Sequence, residues 1–96
     1  MQRRYTVRIS DTASRELAKL PAKDQERINA KIVALADDPR PHGCEKLSGT
    51  GRPEEYRIRS GDYRIVYEVY DDMLLVLVVR IGPRGEVYRR LQRLKK

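Results

Sequence analysis

Apolar and polar residues alternate most cleanly between Tyr56 and Val69, in the string YRIRSGDYRIVYEV. Two alternating segments flank Ser60-Gly61-Asp62, which predicts a β-hairpin. A two-residue turn at Gly61-Asp62 sets Arg59 against Arg64, Ile58 against Ile65 and Tyr56 against Tyr67. A four-residue loop gives the same pairs, whereas a three-residue loop mixes the two faces. A one-residue slip moves every side chain to the wrong side, so the even register is expected. Tyr56, Ile58, Ile65, Tyr67 and Val69 then face the core, and Arg57, Arg59 and Arg64 share the other face. Like charges opposite one another destabilise a sheet. Three arginines gathered there point to a polyanion rather than to a merely solvated strand face.

The same reading places the other elements. Tyr5 to Ile9 alternates and predicts a first strand. Ser10-Asp11-Thr12 offers N-cap oxygens to a short helix carrying Ala13, Leu17 and Leu20 and ending before Pro21. Pro21 suits the start of a second helix, whose apolar stripe is Ile28, Ile32, Leu35 and Ala36 and whose end is Asp37-Asp38-Pro39. From Pro39 to Pro53 the chain reads as a long loop, with Leu47 anchored in the core. Asp71-Asp72 is a turn. The apolar run from Met73 to Val79 reads as a central strand buried on both faces, broken by Gly82-Pro83-Arg84-Gly85. Glu86 to Lys96 predicts a short basic helix.

The order is β-α-α-β-β-β with a possible C-terminal helix. This is an α+β fold in which a helical hairpin packs on one face of a mainly antiparallel sheet and the other face stays partly open. Residues 1–96 are expected to form a single domain.

Composition sharpens this picture. The formal net charge is +7, and arginine makes up 15 of the 21 basic residues. That bias suits planar, bidentate contact with phosphate or carboxylate. A lone cysteine, Cys44, rules out an intrachain disulfide and points to a reducing cytoplasm. No run reaches the ~18 apolar residues of a membrane span, and the N-terminus lacks the apolar segment of a signal peptide. With one His, one Cys and scattered acids, the chain offers no convincing metal site, and no cofactor is expected. His42 and Cys44 read as incidental neighbours. Arg80 suits either a structural pair or a phosphate contact.

The hairpin string, the apolar strand, R-I-G-P-R-G-E-V-Y, the D-P after the second helix and K-L-S-G in the loop together resemble the RelE/ParE superfamily of bacterial toxins. The resemblance covers nearly the whole chain. Its RelE-like members cleave mRNA in the ribosomal A site and are silenced by a cognate antitoxin. ParE-like members instead inhibit DNA gyrase without nuclease chemistry. Residue by residue, the resemblance assigns catalytic roles to Arg57 and Arg59 on the first hairpin strand, Arg64 on the second, Arg84 after the strand-ending glycine, and Tyr88 in E-V-Y. All five positions are filled, which favours the RelE-like branch, with the gyrase inhibitor as the alternative. It further implies a RelB-like antitoxin in a hetero-oligomer, and the ribosome and mRNA as partners.

Cleaving RNA without a metal requires the 2′-hydroxyl deprotonated, the phosphorane charge stabilised and the leaving 5′-oxygen protonated. Arginines supply permanent charge and bidentate contacts, but they do not act as bases. RelE-like members resemble this chain less closely at Arg57 and Arg59, where they carry lysines, so the resemblance leaves the proton acceptor unassigned. Glu45, before K-L-S-G, resembles a loop glutamate of YoeB-type relatives and is one candidate. Tyr88 is the other.

Overall fold

The computed structural model describes residues 4–47 and 53–83. Its elements run β1 (Thr6–Ile9), α1 (Asp11–Ala18), α2 (Ala22–Ala34), β2 (Glu45–Lys46), β3 (Glu54–Ser60), β4 (Tyr63–Tyr70), a 3-10 turn (Asp71–Met73) and β5 (Leu75–Pro83). One five-stranded sheet has the order β1-β5-β4-β3-β2. All neighbours are antiparallel except β1 and β5, which are parallel.

The helices start and stop for local reasons. Ser10 caps α1, its hydroxyl accepting from the Ala13 amide at 3.1 Å. Pro21 sits at the N-cap of α2, where a missing amide hydrogen costs nothing. Between the helices, the Gln25 side-chain amide donates to the Leu20 carbonyl at 2.8 Å and secures the bend. The apolar stripe of Ile28, Ile32 and Leu35, with Ala13, packs on the inward face of β3, β4 and β5. That face consists of Tyr56, Ile58, Ile65, Tyr67, Val69, Val76, Val78 and Ile81, all buried.

The hairpin takes the even register. Ile58 pairs with Ile65, Arg59 with Arg64 and Tyr56 with Tyr67. Gly61 has φ +60°, the value a two-residue II′ turn asks of its first central position, and a side chain there is strained. The Tyr56 and Tyr67 rings stack with centroids 5.8 Å apart. The Tyr67 hydroxyl donates to the Pro39 carbonyl at 2.8 Å, so a fully buried phenol has its partner. Burial pushes its pKa well above the ordinary tyrosine value.

Five expectations need correction. The stretch from Pro39 to Pro53 is not all loop, because Glu45–Lys46 forms a short edge strand on β3. Leu47 packs against Val66 and Val79, on the side away from the helices, rather than in the main core. Met73 belongs to the 3-10 turn and is 64% exposed, since Leu74 at φ +48° turns the chain before β5 begins. The strand then runs on through Gly82 and Pro83. It lies inside the sheet as expected, but its two faces differ. Val76, Val78 and Ile81 are buried under the helices, while Leu75, Leu77 and Val79 are half-buried.

A bulge explains one further feature of β5. Val66 pairs with Arg80 and Tyr67 with Val78, which leaves Val79 without an opposite number. Arg80 turns to Glu16 of α1, with Nη2 to Oε2 at 2.9 Å. The same carboxylate accepts the Ile81 amide at 2.8 Å. Glu16 thus satisfies an amide of β5 just past the point where β1 has ended. Of the two roles open to Arg80, the structural pair is the one observed.

Candidate active face of the sheet

Strand alternation brings Arg57, Arg59 and Arg64 to the face of the sheet that points away from α1 and α2. Arg59 and Arg64 are directly opposite one another at the turn end of the hairpin. Arg59 is exposed and Arg57 half-buried, but Arg64 is only 8% exposed. Arg64 is therefore set into the protein rather than lying on an open surface, and the face is less open than its charge pattern implies.

The short strand β2 supplies the fourth member. Glu45 is paired in register with Arg57, and Glu45 Oε1 accepts from Arg57 Nη2 at 2.9 Å. The Glu45 side chain is 64% exposed, so one carboxylate is held by a guanidinium while staying accessible. The structure thus joins Glu45 to the arginines, although 11 residues lie between it and Arg57. Arg84 and Tyr88, the other two candidates, lie outside the described residues, as does the basic C-terminal segment.

Two polar features, one on each face of the sheet, went unread in the sequence. Glu55 and Glu68 sit opposite one another beyond Arg57 and Val66. Glu55 is buried, and Glu68 accepts from the Tyr70 hydroxyl at 2.8 Å. Burial first, then the Glu68 carboxylate, raises the Tyr70 pKa to about 12. The face thus changes sign along the hairpin, acidic away from the turn and basic near it. The signal was present, since Glu55 stands two residues before Arg57 in an alternating strand. On the other side of Arg59, a groove beside α2 is lined by Lys31, Ala34 and His42. Lys31 extends the positive charge around the sheet edge.

The second feature is a polar cluster centred on Arg40, on the helix side of the sheet. Arg40 Nε donates to the Tyr56 hydroxyl at 2.8 Å, and Nη2 reaches Glu54 Oε1 at 2.6 Å and Asp71 Oδ2 at 2.7 Å. Tyr5 donates to Asp71 Oδ1 at 2.6 Å. Lys46 Nζ approaches the other Glu54 oxygen at 3.3 Å. Arg40, followed by Tyr56 and Lys46, holds the Glu54 carboxyl down at about 2. Asp71 pushes the Arg40 guanidinium up from its ordinary value, against the effect of partial burial. Among the described residues, no group of three or more His, Cys, Asp or Glu side chains could hold a metal ion. No helix among them is long and apolar enough to cross a membrane.

This fold, with its arginine-bearing hairpin, is that of a known class of small toxins. A family model described as "ParE toxin of type II toxin-antitoxin system, parDE" matches residues 7–88. The mRNA interferase toxin RelE of Escherichia coli is 33% identical over 86 residues, covering 88% of this chain and 90% of that protein. Toxin RelG of Mycobacterium tuberculosis is 35% identical over 94 residues, covering 90% and 98%. Among solved structures, the archaeal RelE–RelB complex of Pyrococcus horikoshii matches with a TM-score of 0.78 at 32% identity, covering 85% of this chain and 97% of that one. The intact RelBE toxin–antitoxin complex of Escherichia coli matches with a TM-score of 0.68 at 29% identity, covering 85% and 99%. The chain belongs to the RelE/ParE superfamily of type II toxin–antitoxin toxins, in its RelE-like branch.

Proposed function

We propose that this toxin is an endoribonuclease that cleaves mRNA in the ribosomal A site, arrests translation and growth, and works without a metal ion. The observation that carries the reading is the convergence of Arg57, Arg59 and Arg64 on one sheet face with the Glu45 carboxylate 2.9 Å from Arg57. Fixed guanidinium groups can stabilise charge as it develops on a phosphorane. Glu45 is a carboxylate next to that charge and is the base we assign to the 2′-hydroxyl. Tyr88, carried over from the resemblance, is the other candidate for proton transfer, and Arg84 adds a further phosphate contact. Attack of the 2′-oxygen on phosphorus expels the 5′-oxygen, which takes up a proton.

The partner that silences the toxin is a RelB-like antitoxin. The support is that several similar structures are complexes of a RelE toxin with RelB. A small antitoxin with an acidic or amphipathic segment suits a protein of charge +7. The compartment in which ribosome, mRNA and antitoxin meet is the cytoplasm.

One observation favours a second reading. The family model that matches carries the ParE description, and the resemblance assigns gyrase inhibition by binding to ParE-like toxins. Primer extension on mRNA after induction, beside a gyrase supercoiling assay, separates the two. Cuts within translated codons and unchanged supercoiling are expected. Inhibited supercoiling with intact mRNA overturns the nuclease reading.

A further inference from the structure

Glu45 stands on a strand of only two residues at the edge of the sheet. So short a strand cannot fix its own register, because one or two ladder bonds do not outweigh the entropy of ordering the chain. Something else must hold Glu45 beside Arg57.

The structure shows what does so. Lys46, next to Glu45, is opposite Tyr56, and its ammonium reaches Glu54 at 3.3 Å on the helix side of the sheet. Leu47 secures the strand from the other side, through its amide to the Glu55 carbonyl at 2.8 Å and its packing on Val66. Glu54 is in turn fixed by Arg40 at 2.6 Å and by the Tyr56 hydroxyl at 2.8 Å. The peptide group that leads into Arg40 is held at both its amide and its carbonyl. Its amide donates to Asp38 Oδ1 at 3.1 Å, and the preceding Pro39 carbonyl accepts from buried Tyr67. Only residues 41–44 then separate Arg40 from Glu45. Arg40 therefore ties the root of the loop to β3 and to the 3-10 turn at one point, and sets where β2 begins.

We propose that Arg40 is a positioning residue for RNA cleavage: through Glu54 and Lys46 it holds β2 in register and so keeps the Glu45 carboxylate on Arg57. It touches no reacting atom, since its guanidinium lies with Tyr56 on the opposite side of the sheet from the three arginines. The inference rests on the nuclease reading of Glu45, but it has a consequence that can be read without RNA. A small displacement of a catalytic group costs rate steeply, up to ~10²-fold for about 1 Å.

The test uses the full-length toxin purified from its antitoxin complex, with Arg40→Gln, Arg40→Lys, Glu45→Gln and the Arg40→Gln/Glu45→Gln double variant. Amide hydrogen exchange is the first arm. In Arg40→Gln, exchange at Leu47 should quicken about tenfold or more, while Ile65 and Tyr67 in the hairpin keep their protection. The second arm is cleavage of mRNA on programmed ribosomes. Arg40→Gln should lower kcat about tenfold with KM nearly unchanged, because the arginine patch is intact. Arg40→Lys should recover part of that loss. The double variant should be no slower than Glu45→Gln alone, since both act through one carboxylate. Unchanged exchange at Leu47 overturns the positioning role whatever the chemistry. Loosened exchange with full cleavage, or with losses that multiply in the double variant, overturns the link to Glu45. Loosened exchange in Arg40→Gln beside a wild-type toxin that cuts no mRNA overturns the nuclease reading, and leaves Arg40 as a support of β2 alone.

Discussion

Glu45 and Arg57 face each other across β2 and β3, joined by an ion pair of 2.9 Å. The pair is solvent-accessible on the carboxylate side, so its worth to folding is small, about 0–1 kcal/mol. Its effect on rate should be larger. Glu45→Gln keeps shape and hydrogen bonding but removes the base. We expect cleavage to fall ~10²-fold or more, within the range of general-base catalysis, while the melting temperature stays nearly constant. Wild-type cleavage by this variant moves the proton-acceptor role to Tyr88.

The arginines of the hairpin are not equivalent probes. Arg59 is exposed, so Arg59→Ala should leave stability within about 0.5 kcal/mol and lower cleavage. Arg64 is buried, and a buried arginine is held in place through its aliphatic stem as well as its charge. Arg64→Ala should therefore cost about 1–3 kcal/mol in addition to activity. Ile65→Ala, one residue along and fully buried, should cost about 2–5 kcal/mol. Thermal melting beside cleavage orders the three. An Arg59→Ala variant that unfolds like Ile65→Ala contradicts the two-faced hairpin.

The pair of Glu16 and Arg80 is the test of the bulge. Both side chains are largely buried, at 16% and 11% exposure. Removing one partner leaves the other charged without compensation, so Glu16→Ala should cost about 3–5 kcal/mol. Glu16 also accepts the Ile81 amide, and this adds to the loss. Denaturant unfolding measures it. A loss below about 1 kcal/mol would place Arg80 elsewhere.

Acid should loosen the cluster around Arg40. The Glu54 carboxyl is lowered from 4.5 to about 2, first by Arg40 and then by Tyr56 and Lys46. A folded-state pKa below the unfolded one stabilises at pH above the unfolded value. The contribution is thus complete above pH 4.5 and disappears as pH falls towards 2. Melting temperature followed through this window should decline less steeply in Glu54→Gln than in wild type. Parallel curves would show that Glu54 does not carry the effect.

Ribosome binding should be strongly salt-dependent. Each phosphate contact releases condensed counterions, so log K falls with log salt by about 0.7 per contact on single strands. Arg59→Ala should make that slope shallower by roughly one contact. An affinity insensitive to salt removes the polyanion from the account.

How much of this was legible depended on periodicity. The hairpin register could be read because isoleucine and arginine alternate with a period of two on both strands and only an even loop keeps them apart. The helical stripe of Ile28, Ile32 and Leu35 was legible for the same reason at 3.6. Two residues have no period, so β2 was invisible, and with it the geometry that brings Glu45 to Arg57. Alternation says which face Arg64 takes but not how deeply that face is set, so its burial was missed. Arg40 looked like a loop residue because its partners Glu54 and Asp71 lie 14 and 31 positions away. Arg80 departs from simple alternation because Val79 is bulged.

The parallel pairing of β1 with β5 sets an order of events during synthesis. Ser10, at the end of β1, meets Val79 across 69 positions, and Glu16 meets Arg80 across 64. A nascent chain displays β1 and α1 early, yet neither has its partner until β5 has left the exit tunnel. The hairpin of β3 and β4, whose contacts are local, can close before that. Non-local pairings of this kind slow folding. The strand made first is therefore paired last, when β5 closes the sheet against it.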